Sequence, residues 1–208
     1  MSQTESPDTD QLNAASSAEE TSGSAFVPVD PFELVVFGAT GDLARRKLLP
    51  SLYHRYCDGQ IPDNSRIIGA SRTVMSRDEF VALIEDSYLE FEDGSQHDPD
   101  CFKAFTDMLD YVAIDVTDAS ADWERLGSQL DDTHGLIRIF YLAMPPRLFV
   151  DIAAGLKRAG LAHDQSRVVL EKPLGKDFAS ADAINEGVGQ VFDENRIYRI
   201  DHYLGKET

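Results

Sequence analysis

Short apolar runs alternate with longer stretches whose apolar residues recur every three or four positions, and this pattern runs from Phe32 to Ile200. The runs Phe32–Phe37, Arg66–Ala70, Tyr111–Val116, Leu136–Leu142, Arg167–Leu170 and Arg196–Ile200 predict strands. The first is apolar enough for a central position and the fourth is strongly apolar. Helical spacing predicts helices over residues 76–91, 101–109, 119–130, 147–159 and 178–192. A further helix starts near Asp42 or Leu43 and turns Leu48, Leu49, Leu52, Tyr53 and Tyr56 toward the sheet. Ser76 and Glu79 have the spacing of a capping box. Pro50 lacks an amide hydrogen and crowds the preceding turn, so a kink or restart is expected near Lys47–Pro50, with Pro50 in the first turn of a second segment.

Strands that alternate with helices, each crossover long enough for a parallel pair, predict an α/β fold. The form expected is a Rossmann-like doubly wound parallel sheet with helices on both faces and its ligand at the carboxyl ends of the strands. Residues 1–25 are rich in Ser, Thr, Ala, Asp, Glu and Gln and nearly free of large apolar groups. Such a segment cannot offset the entropy of ordering, so a disordered acidic tail is expected over residues 1–30.

Composition narrows the classes of partner. The formal charge is −18 over 208 residues. Glu5, Asp8, Asp10, Glu19, Glu20 and Asp30 precede the fold without a compensating Lys or Arg. This balance argues against nucleic acid and against anionic membranes, and the scattered acids read as a solvated surface. No run of eighteen apolar residues occurs, and no secretory leader is expected, since no basic region followed by an apolar stretch stands near the start. Cys57 and Cys101 have neither CxxC spacing nor a Cys/His cluster. No metal site is expected, and the two cysteines read as reduced thiols of a cytoplasmic protein.

Candidate chemistry gathers at the ends of the strands. The turn Gly38-Ala39-Thr40-Gly41-Asp42-Leu43-Ala44 has the form GxxGxxA, between a predicted strand and a predicted helix. Glycines there let the chain turn tightly and let bare backbone approach a ligand. The helix N-terminus that follows favours a phosphate, and Arg45, Arg46 and Lys47 add cations beside it. The alternative is an ordinary strand-to-helix turn. The second strand runs into Ser71-Arg72-Thr73, and the next acid is Asp78. An acid at that strand end suits the ribose of NAD, whereas an arginine suits the 2′-phosphate of NADP. Arg72 therefore favours NADP, the alternative being a solvated surface arginine. No tyrosine has a lysine four residues on, which disfavours the short-chain reductases. Lys172, His202 and Lys206 follow the fifth and sixth strands and would form a cationic pocket for a phosphate or sugar phosphate at the same sheet edge.

The segments GATGDLARRKLLPSLY, FYLAMPP, EKPLG and RIDHYLGKE, in this order and spacing, resemble glucose-6-phosphate dehydrogenase of the bacterial type. The resemblance runs from about Phe32 to the last residue, and RIDHYLGKE is its most specific part. It implies an NADP-binding domain over residues 31–203, with residues 204–208 opening a substrate domain. It implies that Gly38, Ala39, Thr40, Gly41, Asp42, Leu43, Ala44 and Arg45 form the coenzyme phosphate turn, that Arg72 reads the 2′-phosphate, and that Asp115 and Val116 contact the coenzyme. Lys172 is implied near both coenzyme and sugar, with Pro173 as a cis proline. Lys47 is implied near the substrate, and His202, Tyr203 and Lys206 as ligands of the sugar 6-phosphate. Asp201 is implied as the partner of a catalytic histidine.

In the family that histidine lies beyond RIDHYLGKE, and no histidine follows His202 here. Oxidation at C1 of the sugar requires removal of the C1 hydroxyl proton. The resemblance therefore implies a coenzyme domain with half a sugar site, taken from a homo-oligomeric enzyme, and little or no turnover by the chain alone. Two other readings stay open: a non-catalytic NADP-binding sensor or interaction module, and a related sugar or polyol dehydrogenase in which Lys172 moves the proton.

Overall fold

A computed structural model describes residues 29–91, 97–118, 122–130 and 136–201. Its framework is a six-stranded, wholly parallel sheet: β1 Phe32–Phe37, β2 Arg66–Ser71, β3 Leu109–Ala113, β4 Ile137–Leu142, β5 Arg167–Glu171 and β6 Ile197–Ile200. The spatial order is β3-β2-β1-β4-β5-β6. The order reverses between β1 and β4, the point at which a doubly wound sheet opens a crevice for its ligand. The helices are α1 Leu49–Cys57, α2 Arg77–Phe91, α3 Pro99–Asp107, α4 Trp123–Gly127, α5 Phe149–Arg158 and α6 Phe178–Gly189.

Every residue of β1 is buried. Side chains alternate along a strand, so Val35 and Phe37 enter one core with Phe140, Phe149 and Trp123, while Leu34 and Val36 enter the opposite core with Tyr53, Phe80 and Phe105. At the amino ends of the strands lies a buried ion pair. Arg138 Nε and Nη2 donate to Glu33 Oε2 at 3.1 and 3.0 Å. Arg66 stands 3.6 Å from Glu33 and 3.1 Å from Asp110, which extends the pair across four neighbouring strands. These charges bridge the sheet at the end opposite the ligand crevice.

Pro50 acts as its chemistry requires. Ala44–Leu48 is a π-helical turn, and Pro50 sits at the start of α1. Proline offers no hydrogen to the carbonyl four residues back, and its ring crowds that carbonyl. The ladder widens by one residue instead, so that Leu49 N bonds Ala44 O. The Ser76–Glu79 capping box is present: Ser76 N donates to Glu79 Oε2 at 2.7 Å and Glu79 N to Ser76 Oγ at 3.2 Å.

Several boundaries differ from the sequence expectation. β3 begins two residues earlier and stops at Ala113, which leaves Asp115 and Val116 in the loop beyond it. The helix expected over 119–130 is the short α4, started by Asp122, whose carboxylate accepts from Arg125 N at 2.9 Å. The first turn of the helix expected over 147–159 is 3-10 rather than α-helical, over Pro146–Leu148, and α5 proper begins at Phe149. The acidic tail falls largely on residues 1–28, outside the described residues.

The expectation of reduced thiols is corrected. Cys57 ends α1, Cys101 lies in the first turns of α3, and a disulfide joins them across a Cα separation of 6.0 Å. Tyr53 packs edge-on against Phe102 and Phe105, which sets α1 beside α3 and brings the two cysteines into reach. The sequence separation of 44 gives no sign of this, since it depends on tertiary packing. Among the described residues, no helix is long and apolar enough to cross a membrane.

Candidate nucleotide-binding site

The crevice at the switch point is built from the ends of four strands and the turns that follow them. Phe37, Gly38, Thr40 and Gly41 line it from β1, Ala70 to Thr73 from β2, Ile114 and Val116 from beyond β3, and Ala143 to Pro145 from beyond β4; it encloses about 190 Å³.

Gly38 adopts φ +84°. A side chain there would meet the carbonyl oxygen of Ala143 and the Met144 side chain, so both the backbone angle and the space require glycine. Gly38 N and Ala39 N bond Ala70 O at 2.8 and 3.3 Å, which pins the turn to β2. Gly41 N bonds Gly38 O at 2.8 Å, and Arg45 N bonds Gly41 O at 3.1 Å as the first rung of the helix. The amides between them have no intrahelical acceptor and suit an anion. Ala39 and Ala44 are fully buried in the core, so they offer the ligand backbone rather than side chain.

The cations of the turn divide. Arg45 Nε donates to Ser87 Oγ on α2 at 2.8 Å. Arg46 pairs with Asp42 at 3.3 Å and lies over the Phe91 ring at 4.4 Å. Both are thus drawn toward α2 or the turn's own surface, while Lys47 is exposed. Leu43 is half-buried beside them. Arg72 is exposed at the rim of the crevice. It faces Asp115, whose carboxyl is held below the usual carboxylate range by the Thr117 hydroxyl and amide, with a smaller contribution from the Arg72 charge.

The second cluster lies where β5 and β6 end. Lys172 N bonds Ile200 O at 2.9 Å, continuing the parallel register in which Glu171 faces Ile200. The EKPLG segment and Asp201 therefore leave the sheet side by side, as expected. Lys172–Pro173 is a cis peptide bond. Lys172 is exposed and Asp201 half-buried. Tyr141 on β4 donates to Glu171 Oε1. Burial, then the Glu171 hydrogen bond and charge, push the Tyr141 hydroxyl above the ordinary tyrosine value. His202, Tyr203 and Lys206 lie outside the described residues.

Sequence reasoning passed over Ser71, Thr73, Tyr111, Met144 and Pro145. Tyr111 read only as a strand residue, and Met144 and Pro145 only as part of the FYLAMPP segment. Alternation reports which face a side chain takes, not how far its polar tip reaches.

The comparisons with known proteins agree with this architecture. The family model described as "Glucose-6-phosphate dehydrogenase, NAD binding domain" matches residues 35–208. Glucose-6-phosphate 1-dehydrogenase of Gluconobacter oxydans is 48% identical over 184 residues, covering 88% of this chain and 38% of its own length. The enzyme of the same name from Rhizobium meliloti is 44% identical over 185 residues, covering 89% of this chain and 38% of its own length. The crystal structure of glucose-6-phosphate 1-dehydrogenase from Mycobacterium avium superposes with a TM-score of 0.76 at 32% identity, over 84% of this chain and 37% of that one. A glucose-6-phosphate dehydrogenase in complex with its substrate glucose-6-phosphate gives 0.73 at 29% identity, over 87% of this chain and 38% of that one. The chain thus spans less than two fifths of the length of these relatives.

Proposed function

The chain belongs to the glucose-6-phosphate dehydrogenase family, and on that premise we propose that it binds NADP as the coenzyme-binding part of an enzyme oxidising D-glucose 6-phosphate. The product would be 6-phospho-D-glucono-1,5-lactone, at the first step of the pentose phosphate pathway. The observation that carries the coenzyme assignment is the pair of turns facing each other across the crevice: Gly38–Gly41 with its positive-φ glycine, and Ser71–Thr73 with Arg72 exposed at the rim.

The residues present fit a dinucleotide. The turn of Gly38, Ala39, Thr40, Gly41, Asp42, Leu43, Ala44 and Arg45 would lie against the pyrophosphate, with the amides of Asp42, Leu43 and Ala44 open to it, and Arg72 would take the 2′-phosphate through its planar fork. Asp115 and Val116 would flank the adenosine side. Bound NADP supplies the hydride acceptor. Lys172 would stand between coenzyme and sugar, while Lys47, His202, Tyr203 and Lys206 would hold the sugar and its 6-phosphate. Asp201 would orient the group that removes the C1 hydroxyl proton. The full-length enzyme would be a homo-oligomer and the location the cytoplasm, where a disulfide such as Cys57–Cys101 is uncommon.

Calorimetric titration of the chain with NADP and with NAD tests the coenzyme. Tighter binding of NADP is expected. Equal affinity for both would overturn the 2′-phosphate assignment and leave a dinucleotide site of other specificity.

A further inference from the structure

Tyr111 lies on β3, 6% exposed, opposite Gly69 of β2. Its ring packs on Phe80 of α2 at a centroid distance of 4.8 Å, and the absence of a side chain at Gly69 leaves room for Phe80. The hydroxyl is thereby carried to the ligand edge of the sheet. There it donates to Thr73 O at 2.6 Å and lies 2.7 Å from Ser71 Oγ. Ser71 Oγ also accepts from Thr40 Oγ1 at 3.1 Å and from Thr73 N at 3.3 Å.

These contacts fix the direction of each bond. Tyr111 has one hydroxyl hydrogen, and Thr73 O takes it. Ser71 must then donate to Tyr111, which leaves the Ser71 oxygen to accept from Thr40. The result is a one-way chain, Thr40 to Ser71 to Tyr111 to Thr73, in which each hydroxyl polarises the next. It begins in the phosphate turn and ends on the carbonyl just beyond Arg72. Both neighbours of Arg72 are held, while its own side chain stays exposed.

We propose that Tyr111 is a positioning residue for recognition of the coenzyme 2′-phosphate: its hydroxyl fixes the Ser71–Thr73 turn that presents Arg72. The proposal rests on the reading that Arg72 takes the 2′-phosphate. Burial raises the Tyr111 hydroxyl above the ordinary tyrosine value, so it keeps the hydrogen that the chain of bonds requires. A phenylalanine in its place would keep the ring against Phe80 and free the turn, so the loss should fall on the coenzyme that uses Arg72.

The test is a cycle of the 208-residue chain: unchanged, Tyr111→Phe, Arg72→Ala and the double variant, each titrated calorimetrically with NADP and with NAD. Tyr111→Phe should weaken NADP by about fivefold and NAD by less than about twofold. In the Arg72→Ala background it should change NADP binding by less than about twofold. Equal loss for both coenzymes, no loss for either, or the same NADP loss without Arg72 would overturn the proposal. An Arg72→Ala variant that keeps the NADP preference would overturn the reading of Arg72 and this role with it. A selective Arg72→Ala beside an unselective Tyr111→Phe would overturn the role of Tyr111 alone. If Tyr111→Phe yields no folded protein, Ser71→Ala cuts the same chain nearer the crevice and should show the same selective loss; an unselective Ser71→Ala would overturn it.

Discussion

Tyr141 on β4 gives its hydroxyl hydrogen to the carboxylate of Glu171, the last residue of β5 and the neighbour of the cis Lys172–Pro173 bond. The bond crosses from one strand to the next where the chain leaves the sheet for the candidate sugar side. Tyr141→Phe is expected to destabilise the fold by about 1.5 kcal/mol or more at neutral pH, since the acceptor is charged. The hydroxyl value is raised on folding. Its contribution is therefore complete below the unfolded tyrosine value near pH 10 and lost as pH rises through the folded value. Urea denaturation at neutral and strongly alkaline pH should show the gap between the two proteins narrowing at high pH. A gap that widens would contradict the assignment.

Gly38→Ala places a side chain at φ +84° against the Ala143 carbonyl. A non-glycine residue in that region costs about 1–3 kcal/mol before any clash. The variant should unfold at lower urea and lose coenzyme affinity together, because the same turn that is strained carries the amides proposed to meet the phosphate. A stable variant with unchanged affinity would show that the turn does not meet the ligand.

Much of the fold was legible because the apolar pattern carries it. The run Leu34–Phe37 is buried on both faces, which matches a central parallel strand, and Pro50 marks the break in the helix by its chemistry alone. What escaped depends on contacts between distant segments. Nothing in the sequence sets Cys57 beside Cys101, or tells that Arg45 turns to Ser87 rather than to a phosphate. The Thr40–Ser71–Tyr111–Thr73 chain was equally hidden, since it joins the turn after β1, the end of β2 with the turn beyond it, and β3 through hydroxyl tips and a backbone carbonyl. Arg72, by contrast, could be found from its place at the end of a strand.

The disulfide gives a separate expectation. Thiol titration of the unreduced, unfolded chain should find no free thiol, because Cys57 and Cys101 are its only cysteines and are joined. Closing a loop of this separation stabilises by about 3–4 kcal/mol in the chain-entropy account. The Cys57→Ser, Cys101→Ser double variant should unfold at correspondingly lower urea while NADP affinity is retained, since the bond lies outside the crevice. Two reactive thiols in the unreduced protein would restore the reading made from sequence.

The central claim is that the crevice between the β1 and β2 turns holds NADP with Arg72 on the 2′-phosphate. A crystal structure of the chain soaked with NADP tests it most directly. The account predicts the pyrophosphate over the Gly38–Ala44 turn and a 2′-phosphate oxygen within hydrogen-bond distance of the Arg72 guanidinium, about 2.7–3.2 Å. A pyrophosphate bound elsewhere, or a 2′-phosphate directed away from Arg72, would contradict it.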